Sequence, residues 1–156
     1  MSTKRLLRKR WTEEPGLSIG KKVLEFWLSV LKQDHGRNAE ELFGLLEGLT
    51  FREEVASGRD LRGRSTGVGS DMDFSNTDFS YARSVGGFYR CDLTNASFNE
   101  ISAERSSFGS VLKGSSFLLL LGAGFAIEIS LSLMSISFST ERFRDFSLCR
   151  TFFPAP

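Results

Sequence analysis

Apolar residues in the first third of the chain recur at spacings of three and four. Ile19, Val23, Phe26, Trp27, Val30 and Leu31 therefore predict one buried face of an amphipathic helix. Pro15 suits the first turn of that helix, where its missing N–H costs nothing, and Gly36 suits the C-terminal stop. A second, shorter helix is predicted from Asn38, with Glu41 as its capping-box partner and Leu42, Leu45, Leu46 and Leu49 as its apolar positions. Two short helices cannot bury both apolar faces on each other, so they predict a further surface to pack on.

Beyond residue 70 neither the helical nor the strand period fits. Phe74 and Phe79 are five apart. After a four-residue step past Ser84, the five-residue spacing resumes through Phe88, Leu93, Phe98, Ala103 and Phe108. The same phase later meets Leu133, Phe138, Phe143, Leu148 and Phe153. Two residues before the first of these centres the side chains are small (Thr77, Ala82, Gly86, Cys91, Ala96, Ser106). One residue before them stand Asp73, Asp78 and Asp92, then Ser97, Ser102 and Ser107. A fixed longer period of this kind marks a repeat in which one unit cannot bury its own apolar face.

Written as units, the chain reads Met-Asp-Phe-Ser-Asn, Thr-Asp-Phe-Ser-Tyr, Cys-Asp-Leu-Thr-Asn and Ala-Ser-Phe-Asn-Glu. Over residues 71–110 this resembles the pentapeptide-repeat family, and Asp60-Leu61-Arg62-Gly63 looks like a degenerate first unit. The resemblance implies a mainly β fold, a short right-handed quadrilateral parallel β-helix with four pentapeptides per coil, here carrying an N-terminal helical cap. Phe74, Phe79, Phe88, Leu93, Phe98 and Phe108 would form its inward ladder, with Cys91 as a small buried corner residue. Past Phe108 the phase would place Lys113 and Glu128 inward. Burying an unpaired charge costs several kcal/mol, so the coil is expected to slip register, open or stop there.

The expected organisation is a basic, unstructured stretch at 1–14, a two-helix N-terminal cap at 15–56, the pentapeptide-repeat β-helix at 57–112, and a degenerate apolar continuation, cap or dimer surface at 113–156. The apolar run at 117–127 is too short to span a bilayer, which takes about 20 residues. A buried wall, an apolar dimer surface or a diverged or frame-altered end are the readings open for it. Residues 57–70 are rich in Gly and Arg but lack the Gly-Lys-Ser/Thr ending of a P-loop, so turn glycines account for them.

Composition narrows the function more than it names it. Lys and Arg number 20 against 19 Asp and Glu in 156 residues, a balance that disfavours both a general nucleic-acid binder and a wholly acidic chain. Two cysteines, Cys91 and Cys149, and one histidine, His35, form no zinc spacing and no disulfide framework. Met1 to Arg10 is basic without a following apolar stretch, so no secretory signal is read and a cytoplasmic location is expected. No H-E-x-x-H and no paired carboxylates at a defined spacing appear. His35, beside the helix-ending Gly36, reads as a solvated loop residue. No catalytic, cofactor-binding or metal-ligating set is therefore assigned, and no enzyme activity or cofactor is expected.

What remains is a non-catalytic protein-binding or scaffold module presenting a rigid polar surface to a macromolecular partner. The candidate partner-binding residues are an acidic wall of Asp71, Asp73, Asp78, Asp92, Glu100 and Glu104. Some members of the resembled family inhibit or protect a type II topoisomerase (DNA gyrase) by mimicking DNA, which makes that enzyme the alternative partner. A homodimer through the C-terminal apolar region is a further expectation. Direct nucleic-acid or membrane binding through Lys4, Arg5, Arg8, Lys9 and Arg10 is not expected, since such a segment alone binds weakly and loses its hold as salt rises.

Overall fold

The structure, a computed structural model, describes residues 2–32 and 37–101 in full. Beyond them it describes the backbone of five strand segments. Three α-helices come first: α1 (Thr3–Lys9), α2 (Gly16–Leu31) and α3 (Ala39–Gly44), followed by a 3₁₀ turn at Arg52–Glu54. The strands are β1 (Gly69–Ser70), β2 (Phe88–Asp92), β3 (Ser107–Val111), β4 (Ser116–Leu118), β5 (Ala126–Ile129), β6 (Ser137–Ser139) and β7 (Ser147–Arg150). All pairings are parallel, in one ladder β1-β2-β3-β5-β7 and a separate pair β4-β6.

The mainly β, quadrilateral β-helix is corrected by this content. Through residue 101 the chain is three helices and two short parallel strands, and the ladders stay open and separate. Among the described residues it is a small mixed α/β chain, neither closed nor a solenoid. The backbone shows why extended structure is sparse. Asp71, Asn76, Tyr81, Arg90, Asn95 and Glu100 all have positive φ, between 50° and 66°. A left-handed residue at about every fifth position ends each extended stretch almost as soon as it begins. Pairing between successive stretches then survives as isolated bridges, Asp60 to Asp78, Asp73 to Asp92 and Asp78 to Ser97.

The sequence period nonetheless decides what is buried. Phe74, Phe79, Phe88, Leu93 and Phe98 are fully buried, together with Leu61 and Ile101. The rings meet in a continuous column: Phe74 lies edge-on to Phe79 and Phe88, at 5.9 and 5.4 Å, and Phe79 stacks on Phe98 at 4.9 Å and 10°. Fully burying one such ring stabilises by about 1.5–3 kcal/mol. Cys91 is also buried, its Sγ 3.5 Å from the Tyr89 carbonyl. Side chains beyond Ile101, including those of Phe108 and Glu104, lie outside the described residues, as does the whole of Lys113. The register past Phe108 does slip: Phe108 pairs with Ile127, so Glu128 sits opposite Gly109 instead.

The helices close one end of the column. Ile19, Val23, Phe26 and Trp27 of α2 are buried, whereas Leu31, predicted on the same face, is 63 % exposed. Trp27 packs on Phe74 at 5.7 Å, and Phe43 of α3 meets it edge-on at 6.1 Å. Asn38 caps α3, its Oδ1 accepting the Glu41 N–H at 3.1 Å. The stretch read as unstructured, 1–14, contains helix α1, held by buried Leu7, Arg10 and Trp11. Gly63 makes that docking possible: at φ 76°, a Cβ there would lie 2.7 Å from the Leu7 carbonyl oxygen. Among the described residues no helix is long and apolar enough to cross a membrane.

Phe79→Ala should lower unfolding stability by about 3–5 kcal/mol, because Phe79 contacts Phe74, Phe88 and Phe98 at once. A thermal or urea melt checks this, and an unchanged midpoint would remove Phe79 from the core.

Candidate functional site

The aspartates of the repeat first serve their own backbone. Oδ1 of Asp60, Asp73, Asp78 and Asp92 accepts the N–H two residues on, from Arg62, Ser75, Ser80 and Thr94, at 2.8–3.0 Å. Such a turn needs a short side chain bearing an acceptor, which is why Asp stands there and Glu does not. The repeated Asp is thus a turn former.

The acidic residues do not assemble as one bare wall. Asp73 and Asp92 are brought side by side in register, but Asp78 is registered with Asp60 and Ser97. Asp71 is held by the Arg90 guanidinium through two hydrogen bonds of 2.6 and 2.7 Å, both groups being exposed. Asp73 lies 3.4 Å from Arg59, which also bonds Glu40. Glu100 lies 3.5 Å from Lys4, and Glu104 lies outside the described residues. Cations therefore neighbour Asp71, Asp73 and Glu100. Mimicry of a duplex needs closely spaced uncompensated charge, and this face supplies little of it. The protein in excess is expected to leave a gyrase supercoiling assay unchanged.

The strongest charge cluster is buried and joins α1 to the first repeat unit. Arg10 grips Asp60 through two bonds, Nη1 to Oδ2 and Nη2 to Oδ1, each 2.8 Å. Arg62 grips the same carboxylate through Nε and Nη2, each at 3.0 Å. Other donors are placed as well: Arg10 also reaches the Thr50 and Arg62 carbonyls, Trp11 Nε1 reaches the Arg62 carbonyl, and Arg62 reaches the Phe51 carbonyl and Glu54, while Arg10 Nε is buried without a hydrogen-bond partner. Burial pushes the Asp60 carboxyl up, but the Arg10 and Arg62 guanidiniums outweigh it and hold it below the ordinary aspartate value. Asp78 goes the other way: burial dominates, its Ser80 hydrogen bonds and the charge of Arg62 compensate only in part, and its carboxyl is raised.

Sequence reasoning missed two groupings. One is this triad, whose Arg10 lay in the stretch read as unstructured. The other is a basic cleft, where Arg83, from the region in which the five-residue period slips, joins Lys4, Arg5, Arg8 and Lys9 of α1. The available signal was that Leu7 and Trp11 are four apart, so that α1 has a core-facing side and a charged one. His35 lies outside the described residues, and among the described residues no group of three or more His, Cys, Asp or Glu side chains is placed to hold a metal ion.

No family model, no curated protein and no solved structure matches the chain.

The buried Asp60 and the half-buried Asp78 should respond differently to neutralisation. Asp60→Asn leaves two buried guanidiniums short of a counter-charge and should cost about 3–5 kcal/mol at pH 7. Asp78→Asn keeps a turn-forming side chain and removes a penalised charge, so it should stay within about 1 kcal/mol of the parent. The sign with pH follows. The Asp60 contribution is present above the ordinary aspartate value of 3.8 and is lost as pH falls through its lower folded value. The Asp78 penalty is present above its raised value and is relieved as pH falls through it. Urea unfolding at pH 7 and near pH 3 should show Asp60→Asn with the flatter acid dependence.

Proposed function

We propose that the chain is a non-catalytic binding module that offers a rigid polar face of stacked turns to a protein partner. The observation that carries this reading is the self-capping of the turns. Asp73, Asp78 and Asp92 lock the backbone around them, and Asn95 Nδ2 lies 3.4 Å from Asn76 Oδ1 on the neighbouring turn. Polar groups fixed before contact lose little conformational freedom on binding, so more of the interaction free energy appears as affinity. The resemblance to the pentapeptide-repeat family supports the same reading.

Exposed Asp71, Arg90, Asn76 and Asn95 are the groups through which such a face would be read. The test is affinity capture from native cytosol with mass spectrometry, run in parallel with Asp71→Ala/Arg90→Ala. That pair is solvent-exposed, so the variant should keep the parent circular dichroism and melting midpoint. A partner held in stoichiometric amount by the parent and lost by the variant is the expected result. A partner retained equally by the variant would place the contact elsewhere and overturn the assignment of this face.

A further inference from the structure

Helix α1 and the turn bearing Arg83 enclose an open cleft of about 410 Å³, within the size range of small-molecule sites. Five cationic side chains line it: Lys4, Arg5, Arg8, Lys9 and Arg83. Two of these charges have acidic neighbours, Lys4 with Glu100 at 3.5 Å and Lys9 with Glu13 at 3.1 Å, the first pair half-buried and the second exposed. Arg5 and Arg83 have no acidic partner among the described residues. Arg8 is aimed by a tertiary contact, its Nε donating to the Tyr81 carbonyl at 2.8 Å. Tyr81 stands in a left-handed turn at φ 66°, so the cleft is shaped by the docking of α1 on the repeat and does not exist in either alone.

Positive charge accumulated in this way is costly in the free protein. Burial lowers the Arg8 pKa, and the nearby charge of Arg83 lowers it further, as expected where like charges face each other without enough counter-charge. An anion in the cleft relieves that repulsion. Guanidinium groups match phosphate oxygens through paired N–H donors, and the Ser2 hydroxyl in the lining adds a neutral donor, whereas the Thr12 hydroxyl already donates to the Lys9 carbonyl at 2.7 Å. No aromatic side chain lines the cleft, so it has no platform on which a base could stack. The recognised element is then the phosphate cluster.

We propose that this cleft binds a compact anion carrying two or more adjacent phosphate groups, whether a free polyphosphate, the phosphate tail of a nucleotide or a multiply phosphorylated lipid headgroup. The site is separate from the turn face assigned to a protein partner, and the two proposals stand or fall independently.

Isothermal titration of the full chain with inorganic tripolyphosphate, at low and at physiological salt, tests it. Saturable binding is expected, weakened by added salt and far tighter than for inorganic monophosphate. Arg83→Ala and Arg5→Ala should each weaken it at least about tenfold, the loss of one charge-assisted contact. Lys21→Ala/Lys22→Ala, which removes two exposed cations on α2, should leave it unchanged. Two further arms distinguish the sources: ATP in solution, and phosphatidylcholine vesicles with and without a phosphoinositide bisphosphate. Binding that also appears with those vesicles, and that tripolyphosphate displaces, identifies the lipid source; binding confined to the soluble ligands identifies the free one. No binding at low salt overturns the proposal. So does equal weakening by the α2 variant, or an oligonucleotide that binds through Arg83 while tripolyphosphate does not.

Discussion

One buried carboxylate organises the first half of the molecule. Asp60 is the meeting point of Arg10, from the end of α1, and Arg62, from its own turn. Neither guanidinium could be buried there without it, and the carboxylate could not be buried without them, since an isolated charge out of water costs several kcal/mol. The requirement is mutual, so it acts as a registration device: α1 docks only where Arg10 finds Asp60. That docking brings Leu7 against Gly63 and Trp11 over the Arg62 carbonyl. It also sets the place where α1 faces Arg83.

The aromatic column is built on a different logic. Most of its members lie five residues apart because the chain turns at left-handed positions mostly five residues apart, and the turns at Asn76, Tyr81 and Asn95 are held by Asp73, Asp78 and Asp92, each accepting the N–H two residues on. Apolar centre and turn-forming acid are thus two halves of one local device. The device yields short extended stretches joined by single bridges, with Trp27 and Phe43 covering the end of the column. Without those helices Phe74 would be left with one face in water.

The charged residues divide into three uses once their partners are known. Asp73, Asp78 and Asp92 stabilise turns. Asp60, Arg10 and Arg62 join two segments in the interior. Lys4, Arg5, Arg8, Lys9 and Arg83 gather positive charge on one side of α1. In the sequence these uses cannot be told apart, because charge patterning along a chain carries no information about which distant residue answers which.

The burial of Phe74, Phe79, Phe88, Leu93 and Phe98, the capping of α3 by Asn38 and the amphipathic face of α2 were all legible beforehand. Each depends on side-chain spacing within a few residues, and spacing is a property of the chain itself. The mixed α/β content was not legible, because whether a five-residue unit becomes strand or turn depends on the left-handed backbone at its end and on what the unit packs against. Nor was the role of residues 1–14: in the sequence Arg10 is one more base in a basic stretch, and only folding places Asp60 around it, fifty positions away. The local periods were determined by the sequence alone. The ion triad, the pairing of the acidic residues and the basic cleft were decided by tertiary structure, because a buried or neutralised charge is defined by its partner and the partner is chosen by the fold.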